Sequence, residues 1–274
     1  MTGHRGYIFE NRPAEQERLL AQGTIFDSLT RRVLLEAGLA PGMRVLDLGS
    51  GAGNVAMIAA ELVGPEGAVV GIERDADAVD HARRHVAAAG LANVDFRQGD
   101  AQTLDGVEPG FDAVIGRLVL MYLADPVGAL RQAAARTRPG GVICMHEADL
   151  AYDWSCPSTP LWRQVRAWFL DTLAKAGVEA RMGLSLFAAF RAAGLPDPRL
   201  ELEAVVDGAP EARTWGWANV VAGVVPLMER LGVATSDQVN PPTLAERLQA
   251  ELATNDGIML GPPMIGAWST VSPA

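Results

Sequence analysis

The sequence predicts an α/β fold: a doubly wound, mostly parallel seven-stranded sheet whose last strand runs antiparallel, with helical insertions that form a lid. Three observations carry this expectation. Short apolar runs alternate with stretches of helical spacing from Val45 to Glu147, and strands that alternate with helices build parallel sheets through right-handed crossovers. The first run, Val45-Leu46-Asp47-Leu48, enters a turn holding Gly49, Gly51 and Gly53, after which the periodicity becomes helical from Val55 to Leu62. Beyond residue 150 the alternation is interrupted by two longer stretches, each preceding a further strand-like run.

The elements follow in order. Residues 14–22 and 26–37 carry apolar residues at helical spacing (Leu19, Leu20; Phe26, Leu29, Val33, Leu34) and end at Gly38, which predicts two helices before the first strand. Glycines in the first loop let backbone approach a ligand and leave the next helix's N–H groups facing it. A second strand, Ala68 to Glu73, follows the turn Gly64-Pro65-Glu66-Gly67 and ends in an acid 20 residues beyond Gly53. An acid there is placed to accept hydrogen bonds from two ribose hydroxyls. The helix from Asp75 to Ala89 buries Ala78, Val79, Ala82 and Val86, leaving His81 and His85 at its solvent edge without a third ligand, so no metal is expected.

A third strand from Val94 stops at Gly99-Asp100-Ala101, and a fourth, Phe111 to Arg117, is followed by Leu118 to Leu123 and by Asp125-Pro126, which opens a helix to Thr137. Arg138-Pro139-Gly140-Gly141 turns into a fifth strand ending at His146 and Glu147, at the carboxyl rim where ligands meet open α/β sheets. The aromatic-rich stretch Trp154 to Gly177 precedes a helix at Leu184–Ala193 and an alternating strand at Arg199–Val206. Glu211–Gly232 and Leu244–Ala253 are expected as helices, and Met264–Thr270 as a final strand antiparallel to the sixth. Asn240-Pro241-Pro242-Thr243 is explained by proline at a helix start.

With 23 basic and 33 acidic residues the formal charge is −10, which opposes a phosphate backbone or an anionic lipid surface and excludes a nucleic-acid or membrane partner from the expectation. Cys144 and Cys156 are too few for a disulfide framework and lack metal-ligand spacing, so a reducing, cytoplasmic compartment is expected. Lys175, the single lysine, falls in a predicted helix and argues against Schiff-base chemistry.

The glycine loop with Asp47, then Glu73, Gly99-Asp100-Ala101, the strand ending at Arg117, and Pro139-Gly140-Gly141 resemble, in order and spacing, the motifs of class I S-adenosylmethionine-dependent methyltransferases. The loop's G-x-G-x-G differs from the dinucleotide fingerprint G-x-G-x-x-G. The resemblance covers about residues 40 to 150 and implies a Rossmann-like core binding S-adenosylmethionine, with S-adenosylhomocysteine as product. It implies cofactor contacts from Asp47, Gly49, Ser50, Gly51 and Asn54, from Glu73 and Arg74, from Asp100 and Ala101 at the adenine, and from Gly116 and Arg117 beside the methionine part. Helices ahead of the first strand often cover the cofactor in such proteins, which adds Tyr7 and Gln22. Many relatives have a histidine where this chain has Met121-Tyr122, a departure that leaves the local catalytic role open.

The resemblance, together with the element pattern beyond residue 150, divides the chain into N-terminal helices over the cofactor (1–40), the core (41–150), a lid insertion (151–182), a return to the core with a helix and the sixth strand (183–207), a second lid insertion (208–256) and the last strand (257–274). It implies O- or C-methylation of a small-molecule, secondary-metabolite acceptor. For an oxygen acceptor His146, Glu147 or Tyr122 would take the proton; an activated carbon needs no strong base. The alternatives are an enzyme of the same fold and cofactor that does not transfer methyl, such as a cyclase, and a non-catalytic nucleotide-binding protein. A homodimer is one option for the assembly.

Overall fold

A computed structural model describes residues 13–209 and 211–272, without the side chains of 13–22 and 24. In chain order it contains α1 (Pro13–Glu36), β1 (Arg44–Leu48), α2 (Asn54–Val63), β2 (Ala68–Glu73), α3 (Ala76–Ala88), β3 (Val94–Gln98) and β4 (Phe111–Arg117). A 3-10 turn (Leu120–Tyr122), α4 (Pro126–Arg136), β5 (Thr137–Ala148), β6 (Ser155–Cys156), α5 (Pro160–Ala176) and α6 (Met182–Ala192) follow. The chain then forms β7 (Arg199–Glu203), β8 (Val206–Gly208), α7 (Trp215–Arg230), α8 (Ser236–Val239), α9 (Pro241–Thr254), β9 (Ile258–Leu260) and β10 (Met264–Thr270).

The main sheet has seven strands in the order β3-β2-β1-β4-β5-β10-β7. Strands β1 to β5 are mutually parallel, and β10 runs antiparallel to both β5 and β7. This is the doubly wound sheet with one reversed strand that the alternation predicts. The order reverses between β1 and β4, so the loops leaving these two strands diverge to opposite faces and open a crevice at their carboxyl ends. One apolar core lies between the sheet and α2, α3 and much of α1; the other lies under α4 and α6 and continues into the insertions.

Three differences from the sequence reading have physical causes. The two helices expected before β1 are one helix, α1, because Gly23 does not end it. A Cβ there would come within 2.5 Å of Asn54 Nδ2 and 2.8 Å of Asp27 Oδ2, so the glycine marks where the helix crosses the start of α2. The strand expected to run to Val206 ends at Glu203; the chain bends, Val205 O accepts from Gly261 N at 2.8 Å, and Val206–Gly208 enters a second sheet ordered β6-β9-β8. These short strands show no alternation long enough to detect. The expected helix from Glu211 begins only at Trp215, because Asp207 holds the preceding loop through Arg213, whose Nε and Nη2 both donate at 2.8 Å.

The insertions are joined by aromatic packing. Trp154 stacks on Trp217 with centroids 3.7 Å apart and planes within 10°, and Phe169 meets Trp154 edge-on at 5.5 Å. Trp217 Nε1 donates to Leu260 O at 2.9 Å, and Tyr152 Oη donates to the same oxygen at 2.8 Å. Both polar tips are thereby satisfied inside apolar surroundings, as buried aromatic side chains require.

Helix α1 reaches the sheet over Gly266 in β10, where a Cβ would lie 2.7 and 2.8 Å from the two γ-methyls of Val33. Gly266→Ala should cost about 1–3 kcal/mol, the range for overpacking a filled core. In a Val33→Ala background the same change should cost clearly less, read by denaturant titration of all four proteins. Equal costs in both backgrounds would show that α1 does not seat on this glycine.

Candidate active site

The crevice is built first by the loop after β1. Gly49, Gly51 and Gly53 have φ of 62°, 51° and 89°, in the region where a side chain is strained. A Cβ at Gly49 would lie 2.6 Å from Val119 Cγ2, and one at Gly53 would lie 2.9 Å from Phe96 Cζ. The loop therefore lies flat between the turn after β4 and β3. At the end of β2, Glu73 Oε2 accepts from Gly51 N and its Oε1 from Asp75 N, each at 3.0 Å. The carboxylate is thus fixed in place before any ligand arrives. At the end of β3, Asp100 Oδ1 accepts from Gln102 N at 2.8 Å.

These residues border a cavity of about 500 Å³. One side is made by Gly49, Ser50, Gly51, Asn54, Glu73, Arg74, Asp75, Asp100, Ala101 and Arg117. The other side is mainly apolar and aromatic, formed by Ile25 and Phe26 of α1, by Leu118, Val119, Met121 and Tyr122, by Phe169, Trp215 and Trp217 of the insertions and by Met259 of β9, with Arg213 and Asn219 as its polar members. Nine of the expected cofactor residues therefore share one wall.

Two others do not reach the cavity. Asp47 is buried beneath the glycine loop, where its carboxylate accepts from the Ala56 amide at the start of α2. Burial pushes it up to about 8, opposed by the Arg117 guanidinium and reinforced by Glu73. Gly116 is enclosed in β4, with room for a Cβ denied by Val119 Cγ1 at 2.9 Å and Met145 Sδ at 3.2 Å. Tyr7 lies outside the described residues, as does the side chain of Gln22. Arg117 borders the cavity while its Nη1 donates to Asp27 Oδ1 and Thr30 Oγ1 of α1, both at 2.9 Å, latching α1 to the end of β4.

The expected proton acceptors are placed differently from one another. Strand alternation sends His146 and Glu147 to opposite faces of β5, and neither borders the cavity. His146 is buried against α1, with Nδ1 3.2 Å from Thr30 Oγ1. Burial first, and then the nearby Arg117 charge, hold its imidazolium form down to about 3, so the ring is neutral and enclosed. Glu147 is fully buried beneath the turn after β4, its Oε1 accepting from Val119 N at 2.9 Å and Leu120 N at 2.7 Å. Direct proton transfer by either is corrected by this placement. Tyr122 does border the cavity.

Sequence reasoning missed Asp27 and Thr30, whose partners are far away in the chain and leave no local pattern. It also missed Leu118, which adopts φ 53° as the first residue after β4. The tryptophans of the insertions were visible as an aromatic-rich stretch but not as a wall. Among the described residues no group of three or more His, Cys, Asp or Glu side chains is arranged to hold a metal, and no helix is long and apolar enough to cross a membrane. His85 instead lies with Nδ1 3.1 Å from Ala52 O.

A family model described as a methyltransferase domain matches residues 39–176, half of the chain. The chain belongs to the class I S-adenosylmethionine-dependent methyltransferases. It is 32% identical over 182 residues to an uncharacterised 37.1 kDa protein in transposon Tn4556 of Streptomyces fradiae, covering 64% of this chain and 52% of that protein. It is 36% identical over 118 residues to the aklanonic acid methyltransferase DauC of Streptomyces sp. (strain C5), covering 43% of this chain and 54% of DauC. The chain thus spans about half the length of these curated relatives. Among solved structures, the YcgJ protein from Bacillus subtilis superimposes with a TM-score of 0.57 at 15% identity, covering 90% of this chain and 100% of that one, a likeness of fold.

The burial of neutral His146 has a consequence for stability. Its folded value is depressed to about 3 from an ordinary 6.5, so its contribution is complete above about pH 6.5 and is lost as pH falls toward 3, where the unfolded chain binds the proton first. The loss approaches ~1.4 kcal/mol per pH unit within that window. Denaturant titrations from pH 7 to 4 should show a shallower acid slope for His146→Gln than for the native protein. Parallel slopes would mean that the imidazole is not held neutral.

Proposed function

We propose that the chain transfers the methyl group of S-adenosylmethionine to a small, largely apolar acceptor. The observation that carries this reading is one continuous cavity with an acid-bearing wall on one side and an aromatic wall on the other. Glu73, Asp75 and Asp100 lie on the first wall, a donor-seeking surface that suits ribose hydroxyls, an adenine amino group and a cationic sulfonium, and that repels a dinucleotide's phosphates. Arg117 and Arg74, on the same wall, suit the amino-acid carboxylate. The residues present therefore fit this cofactor, with Glu73 at the ribose, Asp100 and Ala101 at the adenine, and the glycine loop lying flat enough for close approach.

The cofactor, when bound, supplies an electrophilic methyl group on a positively charged sulfur. The protein's part is to align the acceptor with it and to exclude water, since the charge disperses as transfer proceeds. The insertions supply that exclusion through Phe169, Trp215 and Trp217. Because His146 and Glu147 point elsewhere, the favoured acceptor brings its own nucleophile, as an activated carbon or an oxygen already ionised; Tyr122, which borders the cavity, is the expected proton acceptor that remains beside it. The relation to an aklanonic acid methyltransferase supports a small-molecule acceptor. The charge of −10 supports the reading without a nucleic-acid partner, and the sparse cysteines fit a cytoplasmic setting.

Calorimetry should show binding of S-adenosylhomocysteine in preference to NAD, and methyl-labelled cofactor incubated with an extract of the producing cell should yield a labelled small molecule by mass spectrometry. Glu73→Ala should weaken S-adenosylhomocysteine binding by about 1–3 kcal/mol, as partners lose a charged acceptor, with Glu73→Gln losing less. Unchanged affinity in a folded alanine variant, or tighter binding of NAD, would sink the assignment.

A further inference from the structure

The loop after β4 is the part of the cavity wall that touches both halves. Leu118, Val119 and Met121 all border the cavity. Leu118 holds φ 53°, a conformation that costs a non-glycine residue energy and persists only when its surroundings impose it. Val119 is wedged over Gly49 and Gly116, since Cβ atoms at those glycines would fall 2.6 and 2.9 Å from its methyls. Something must hold this strained turn in place. The 3-10 turn Leu120–Tyr122 opens with no side-chain cap of its own, and its first amides would be orphaned in a buried setting.

Glu147 supplies the missing acceptor from the neighbouring strand. Its Oε1 receives Val119 N at 2.9 Å and Leu120 N at 2.7 Å, and the Met121 amide also favours its charged form. The backbone just before these amides is tied as well, because Leu118 N donates to His146 O at 3.0 Å. One rim of β5 thus holds the turn from both its carbonyl and its side chain. Burial raises the carboxyl to about 7, with the amides of Leu120, Val119 and Met121 pulling it back toward ionisation. The group is retained in the apolar core at a cost that packing alone does not explain.

We propose that Glu147 is a positioning residue for methyl transfer: by capping the turn after β4 it seats Val119 against the glycine loop and sets Leu118 and Met121 at the boundary between cofactor and acceptor. The side chain touches neither ligand. This inference rests on the transfer reading for its catalytic consequence, but its hold on the turn can be read without turnover.

The test compares Glu147→Ala and Glu147→Gln with the native protein by three measurements. In the alanine variant, hydrogen exchange of a peptide spanning 117–123 should accelerate roughly 10- to 150-fold, the span of a charge-assisted hydrogen bond. Methyl transfer from labelled S-adenosylmethionine to acceptors in the cell extract should fall roughly 100-fold, as expected for a misplaced reacting pair. S-adenosylhomocysteine affinity by calorimetry should stay within about threefold, because Glu73 and Asp100 are untouched. Glutamine keeps an acceptor oxygen and should recover much of both losses. An alanine variant with native exchange in 117–123, or with native transfer, would overturn the proposal. So would a glutamine variant as impaired as alanine that loses transfer and S-adenosylhomocysteine binding together, since that marks a general loss of folding. If the alanine variant does not fold, the glutamine variant decides: a smaller acceleration confined to 117–123 upholds the hold on the turn, and none overturns it. If the native protein binds S-adenosylhomocysteine but labels nothing, the transfer reading fails, and the exchange comparison still decides whether Glu147 holds the turn.

Discussion

The site depends on how closely the loops leaving β1 and β4 can approach. Val119 fills the space that side chains at Gly49 and Gly116 would need, and this contact closes the floor of the crevice at the point where the strand order reverses. Glycine at both positions is a steric necessity, separate from any role in touching a ligand. The contact also explains why a carboxylate is kept under the turn. A wedge of this kind is useful only if its backbone cannot drift, and the amides of Val119 and Leu120 are the handles by which it is held.

The two faces of the sheet divide the remaining work. On one, α1 lies over Gly266 and is latched through Asp27 and Thr30 to Arg117, so the helix beside the cofactor wall is tied to the strand that carries the turn. On the other, the core continues through α6 into the insertions, whose aromatic side chains make the acceptor wall. The donor and acceptor halves are therefore supported largely by different layers, and they are joined by the turn after β4 and by α1, whose Ile25 and Phe26 border the same cavity.

What could be read from the sequence was what is local. The glycine spacing, the acid ending β2 and the Gly99-Asp100-Ala101 stop each combine a chain-neighbour pattern with a position at a strand end, and all three occupy the cavity wall. The five parallel strands and the reversed final strand followed from apolar runs and alternation. Alternation also put His146 and Glu147 on opposite faces, but it cannot say which face is open. Both faces of β5 are covered, one by α1 and the other by the turn, so neither side chain reaches ligand. Gly23 shows the reverse limitation: its residue type suggests a helix break, and only the crossing of α2 reveals why the helix continues. The acceptor wall draws on residues from Ile25 to Met259, and no window of sequence brings them together.

The carbonyl of Leu260 has a bearing on how such a protein changes over generations. A carbonyl oxygen has two lone pairs, and here each is taken by a donor from a different insertion, Tyr152 before α5 and Trp217 in α7. The two insertions are thus not independent modules hung on a common core. Exchange of one for a segment lacking its tyrosine or tryptophan would leave this acceptor half-satisfied, and loss of either tryptophan would leave the Trp154–Trp217 stack without a partner, so recombination that alters acceptor choice favours carrying both segments, together with β9, as one inherited block.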